Sequence, residues 1–230
     1  MPPDQQYNYD ILAIGAHPDD VEHCIGGTLL HLGDQGKSIC IAHMTHGESG
    51  TYGSREKRDS EARAAADYLK ADVRWLDFED TRIEDNLDSR MRMIRFIREI
   101  RPRLIFCQYY EYPLMHHDHE VTGQIVRNSF RMCRFKNVDT GNDPFWIPNI
   151  AYYLHPQTVK PTFVIDVTSV HDRWVEMANL YDSQLDSIPG YKDRLLSHKK
   201  ITGNLIDAPL AESFYCDRPL IGNAVDITVM

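Results

Sequence analysis

The sequence predicts an α/β domain built on a mostly parallel sheet covered on both faces, and three observations carry that expectation. Short apolar runs of strand length alternate with longer stretches of helical periodicity along most of the chain. The runs are continuously apolar, as strands buried on both sides are. Two of them end directly in dense polar clusters, which places the polar chemistry along one edge of the sheet, where open α/β sheets bind ligands.

In chain order, Tyr9 to Gly15 (YDILAIG) reads as the first buried strand, closed by a glycine and followed by Ala16-His17-Pro18-Asp19-Asp20. A helix is expected from about Val21 to Gln35, a second strand from Ser38 to Met44, and an Ala- and Arg-rich helix from Arg55 to Leu69. Val73 to Leu76 reads as a short strand, Asp88 to Ile100 as a helix, and Leu104 to Tyr109 as another buried strand. A helix follows from about Glu120 to Arg131. Strands near Ala151 to Leu154 and Phe163 to Asp166 precede a helix from about Val170 to Gln184. The stretch from Asp139 to Pro148, rich in Gly, Asn and Pro, reads as an excursion from the core rather than a linker, so residues 1–230 are expected to form a single domain.

Composition narrows the function. The formal net charge of -9, with no basic stripe, argues against a nucleic-acid partner. The arginines between Arg90 and Arg103 recur at helical spacing and read as a solvated helix face. Five scattered cysteines without a CxxC pair fit reduced, packed thiols, and the first ten residues lack a signal-peptide pattern. No apolar run approaches the ~20 residues that span a bilayer, so the expectation is a cytoplasmic protein without a membrane partner. AIGAHP lacks the spacing of a dinucleotide fingerprint.

Two constellations carry chemistry. His17-Pro18-Asp19-Asp20 offers imidazole and carboxylate, suitable ligands for a divalent metal such as zinc, although by itself the tetrapeptide reads equally well as a helix cap. His116-His117-Asp118-His119 packs three histidines and an aspartate into four residues, again after a buried strand and before a helix. Brought to one sheet edge, the two supply three metal ligands and leave a carboxylate and a histidine for acid–base work. His46 and Glu48, after the second strand, are candidates to line the same site. His31, His155, His171 and His198 read as isolated surface or core histidines, and Trp146 lies in a loop able to reach the site or a neighbouring subunit.

AHPDD, the THGE segment (Thr45 to Glu48), the later H-x-D-H, and AESF with RPL near the end together resemble the PIG-L/LmbE-like zinc-dependent deacetylases, over about Tyr9 to Leu220. The look is closest to the bacillithiol-pathway branch, whose substrate is N-acetylglucosaminyl malate. The resemblance implies a Rossmann-like three-layer fold and removal of an N-acetyl group from an N-acetylglucosamine conjugate. It implies zinc, or iron in the cell, held by His17, Asp20 and His119, with Asp19 as general base. His116 then stabilises or protonates the reacting group and Asp118 orients it. Arg58 matches an arginine that holds a sugar hydroxyl, and Tyr191 a tyrosine that contacts the oxyanion. Relatives are often trimers or hexamers, so a homo-oligomer is expected. Two departures stand beside the substrate: His117 replaces the family's usual proline, and Met115 an arginine, with Tyr112 to Met115 reading as an insertion. The alternatives are hydrolysis of a different acyl amide on the same machinery, or a non-catalytic module in which His117 or Asp19 closes the zinc site as a fourth ligand.

Overall fold

The computed structural model describes residues 4–112, 115–185 and 187–220. Five parallel strands form the central sheet: β1 (Tyr9–Gly15), β2 (Ile39–His43), β3 (Asp72–Trp75), β4 (Pro102–Gln108) and β5 (Asn149–Tyr153). Their spatial order is β3-β2-β1-β4-β5. The chain therefore lays β2 and β3 on one side of β1, then returns to place β4 on the other. The crevice between β1 and β4 is the point where winding reverses, and ligands bind at the carboxyl ends of strands there.

Alternate residues of β1 face opposite layers. Ile11 and Ala13 pack in a cluster with α1 (Asp20–Asp34), α2 (Arg55–Leu69) and α5 (His171–Ala178), through residues such as Leu29, Ala65 and Trp174. Leu12 and Ile14 pack in a second cluster with α3 (Leu87–Ile100) and α4 (His117–Phe130), through Met93, Ile97 and Ile125. Helices on both faces cover the apolar runs of β1, β2, β4 and β5, while the edge strand β3 stays partly exposed, and this gives the three-layer architecture that the sequence predicts.

Local signals set the helix ends. Ser54 accepts from the Lys57 amide to start α2, and Asn86 accepts from the Ser89 amide to start α3. Lys70 and Arg101 adopt left-handed conformations (φ 54° and 52°) that stop the same two helices. Gly123 lets α4 lie directly on β4, because a Cβ there would sit 2.4 Å from the Gln108 carbonyl.

Three elements differ from expectation. The helix expected from Val170 to Gln184 is interrupted: α5 ends at Ala178, and Tyr181 turns fully into the core before the short α6 (Asp182–Leu185). Phe163–Asp166 (β6) lies outside the parallel sheet and pairs antiparallel with Ala211–Phe214 (β7). Neither β7 nor α7 (Tyr191–Gly203) shows in the pattern of apolar residues, because their inward positions carry charge. Lys199 and Glu212 are both buried and pair with each other, and Glu212 also accepts from the amides of Gly27 and Thr28.

The arginine-rich face of α3 also needs correction. Arg98 is 2% exposed and donates to the carbonyls of Cys133, Phe135, Val138 and Asn142 and to the Thr140 hydroxyl. It anchors the irregular segment leading to β5, so one member of the supposedly solvated stripe is a structural post. No helix among the described residues is long and apolar enough to cross a membrane.

Candidate active site

The two polar clusters meet at the β1/β4 crevice. The Ala16 amide donates to the Gln108 side-chain oxygen at 3.0 Å, tying the loop after β1 to the end of β4. Both clusters are the first turns of helices rather than free loops: Asp19 precedes α1 with Asp20 as its first residue, and His116 precedes α4. The His116 ring nitrogen Nδ1 accepts from the Asp118 amide at 3.2 Å.

Asp19 is not the helix cap that its position suggests. Its side chain makes no capping bond, and its backbone is held at φ 104°, a strained value for a residue with a Cβ. Its carboxylate lies 3.2 Å from Arg58 Nη2 and 3.6 Å from His23 Nδ1. Burial pushes the Asp19 carboxyl up, to about 8, against the pull of the Arg58 guanidinium.

Asp20 turns the other way. One oxygen accepts from the His17 amide at 2.8 Å and lies 3.4 Å from His17 Nδ1, and the other lies 3.0 Å from His119 Nε2. His17 Nδ1 and His119 Nε2 are themselves 3.3 Å apart. A tetrahedral zinc with bonds of about 2.0–2.1 Å has donor–donor edges of about 3.3–3.4 Å, so the His17–His119 separation suits a metal of that size, with the Asp20 carboxylate beside both nitrogens. Charge points the same way. Burial opposes a charge on His17, but the carboxylates of Asp118, Asp20 and Asp80 outweigh it and hold its protonation well above the ordinary range. Three buried carboxylates around one histidine favour a positive charge there, carried by the ring itself or by a bound ion.

The other nitrogen of His17, Nε2, lies 3.0 Å from Asp80 and 3.4 Å from Asp118. The resemblance has Asp118 orienting His116. Its carboxylate instead accepts from the Thr81 amide at 2.8 Å and faces His17, because the first turn of α4 directs the fully buried side chain inward beneath the cluster. Asp80, on the loop after β3, had no signal in the sequence. It is fixed by the Ser49 amide at 2.8 Å and supplies the nearer carboxylate to His17. A carboxylate behind a ligating imidazole sets its tautomer and raises its basicity. Within each of two sets, His17 with His116 and His119, and His17 with Asp80 and Asp118, the ligating atoms lie within 4.8 Å of one another. They approach His17 from its two nitrogens. His119 and Asp20 lie against Nδ1, and Asp80 and Asp118 against Nε2.

An open cavity of about 420 Å³ lies over the cluster, lined by Asp19, Arg58, Asp80, His116, Tyr191 and Arg194 among others. Arg58 is buried and does not pair with Glu61 on the helix surface. It donates to the carbonyls of Pro18 and Gly47 at 2.6 and 3.2 Å as well as to Asp19. Gly47, at φ 66°, makes room for it, since a Cβ there would sit 2.2 Å from Nη1. The Tyr191 hydroxyl lies 3.3 Å from His23 Nδ1. Burial, then the neighbouring His17 and His119, lower the basicity of His116.

His46 and Glu48 are braces, not cavity walls. His46 stacks on Trp75 and contacts Asp59 and Asp77, while Glu48 accepts from the Asp80 and His46 amides. His117 is exposed on α4. Trp146 lies against Arg134, away from the cavity. Of the expected insertion, Pro113 and Leu114 lie outside the described residues.

Residues 12–130 match the profile of the PIG-L family, described as GlcNAc-PI de-N-acetylase. The chain is 25% identical over 188 residues to a diacetylchitobiose deacetylase of Thermococcus kodakarensis, covering 76% of this chain and 69% of that protein. It is 27% identical over 129 residues to a probable N-acetyl-alpha-D-glucosaminyl L-malate deacetylase 2 of Bacillus anthracis, covering 50% of this chain and 57% of that one. Among solved structures, a conserved protein of Thermus thermophilus, TT1542, superposes with a TM-score of 0.85 at 26% identity, covering 93% of this chain and 96% of the other.

Proposed function

The chain belongs to the PIG-L family of deacetylases, and from that premise we propose that it hydrolyses the acetamide of an N-acetylglucosamine conjugate with a zinc ion held by His17, Asp20 and His119. The observation that carries the reading is the convergence of those three side chains, with His17 Nδ1 3.3 Å from His119 Nε2, one Asp20 oxygen 3.4 Å from the first and the other 3.0 Å from the second, beneath an open cavity lined by Asp19 and His116. A metal there polarises an amide carbonyl and lowers the pKa of water.

The protein side chains divide the remaining work. Asp19, raised by burial and restrained by Arg58, takes the proton of the attacking water. His116, at the cavity edge and 4.9 Å ring to ring from His17, donates a hydrogen bond to the oxygen that gains charge. The proton on Asp19 passes to the departing nitrogen as the C–N bond breaks, giving acetate and a free amine. Asp118 and Asp80 serve this chemistry by orienting His17 rather than His116. Arg58 holds Asp19 in its strained backbone conformation and offers its cavity side to a sugar hydroxyl. Tyr191 reaches the reacting carbonyl when its hydroxyl leaves His23. The substrate is a small amino-sugar conjugate such as N-acetylglucosaminyl malate, and the enzyme works as a homo-oligomer, a trimer or hexamer that light scattering would count.

Acetate release from N-acetylglucosaminyl malate, N,N'-diacetylchitobiose and N-acetylglucosamine tests the reading with zinc-loaded protein. Release from at least one, abolished by chelation and restored by zinc, is the expected result. Folded, metal-loaded protein that releases acetate from none of them overturns it.

A further inference from the structure

Apart from histidines, two side chains lining the cavity carry positive charge, Arg58 and Arg194. Arg58 is largely engaged by the protein: two carbonyls and Asp19 take its terminal nitrogens, and it is buried. Arg194 is different. It is exposed in the first turn of α7, donates to the Pro189 carbonyl at 3.2 Å, and has no carboxylate within ion-pair distance among the described residues. Most of its guanidinium donors are therefore free to meet a ligand.

Its position decides which part of a ligand it meets. Tyr191 and Arg194 are three residues apart on one helix and so share a face, the face that borders the cavity. The acidic lining, Asp19, Asp20 and Asp80, is gathered around His17 at the metal-binding cluster. An acetamide carbon must reach that cluster, so the sugar occupies the interior and its substituent extends to the exposed rim. In a chain of net charge -9, an unpaired arginine at the rim gives the outer cavity a polarity opposite to that of its floor.

We propose that Arg194 is the specificity residue of this cavity, selecting an N-acetylated amino sugar whose aglycone bears a carboxylate or phosphate over a neutral oligosaccharide. The proposal rests on the deacetylase reading above and adds the residue that sets the charge preference among such conjugates. A guanidinium suits either anion because its fork matches two oxygens at once.

The test is a ratio of kcat/KM values. Zinc-loaded wild type, Arg194→Gln and Arg194→Lys are assayed on N-acetylglucosaminyl malate, N-acetylglucosamine 1-phosphate and N,N'-diacetylchitobiose. Binding of the corresponding deacetylated products, which need no turnover, is followed by calorimetry. Wild type should favour the anionic ligands, and Arg194→Gln should lower the anionic-to-neutral ratio by about tenfold, the size expected for one charge-assisted contact. Arg194→Lys should recover part of that loss, more fully for the phosphate if a point charge suffices and less for a carboxylate that needs the fork. A ratio unchanged within about twofold, or a wild type that favours the neutral sugar, overturns the inference. Arg194-dependent anion preference in product binding without acetate release would instead sink the deacetylase reading and leave Arg194 standing.

Discussion

Asp19 concentrates three demands on a single residue: a backbone at φ 104°, a carboxylate pushed up by burial, and a contact with Arg58. Replacing it by asparagine keeps size and most packing but removes the proton acceptor, so activity should fall by ~10²–10⁴-fold while zinc content is retained. Replacing it by glycine should cost as much activity yet give a protein more stable than the asparagine variant by about 1 kcal/mol, because glycine relaxes the positive φ. Zinc occupancy, kcat and urea midpoints of the two variants check this, and equal stability would show that the surroundings fully absorb the strain. His17→Ala, Asp20→Ala and His119→Ala should each empty the site, whereas His117→Ala should keep its metal. Asp80→Asn should leave the fold intact and weaken zinc binding by ~10–100-fold, measured by chelator competition, because the contact to His17 Nε2 loses its charge. Here the limits of the sequence are plain. The two histidine- and aspartate-rich motifs announce themselves by density, but Asp80 is one acid in an acidic loop. Its partner lies 63 positions away, and only folding reveals the pairing.

At the level of elements, helices and strands with a continuous apolar run or regular helical spacing were legible, and α7 and β7, whose pattern is broken by inward charge, were not. β1, α2 and β6 follow directly from apolar runs and helical spacing. α7 and β7 escape because a lysine and a glutamate occupy their inward positions, and Arg98 on α3 escapes for the same reason. Arg98→Met should therefore destabilise by about 2–4 kcal/mol, since it strands several acceptors that the arginine satisfies, and protease cleavage should appear first between residues 133 and 142. A loss within about 0.5 kcal/mol, the usual range for surface substitutions, would return Arg98 to the solvated face. α1 contributes a pH response through His23, which burial holds down at about 4. The folded state favours neutral His23, so below the ordinary histidine value of about 6.5 the unfolded chain binds the proton more readily. Its contribution is complete above about pH 6.5 and is lost as pH falls towards 4. His23→Gln should flatten that part of a stability-against-pH curve relative to wild type, and parallel curves would remove His23 as the source.

The whole molecule is organised by the return of the chain from β3 to β4. That single crossing turns two motifs about a hundred residues apart into neighbours, and Gln108 fastens them with a bond to Ala16. It also arranges the site in time. A chain emerging during synthesis presents His17 and Asp20 long before His119 exists, and even a full-length chain has no complete metal site until β4 lies beside β1. Contacts of such long sequence separation form late and slowly. Zinc should therefore slow unfolding strongly and leave the refolding rate of the metal-free chain nearly unchanged, because it rewards an arrangement that the rate-limiting step has yet to build. Stopped-flow refolding and unfolding with and without zinc separates the two limbs, and faster refolding with zinc would show that the halves meet early. On the proposed ligand set, the same delay should protect the growing polypeptide: with only two of three metal-binding groups made, capture of an ion around a misplaced partner should be weak until the reversal of winding is complete.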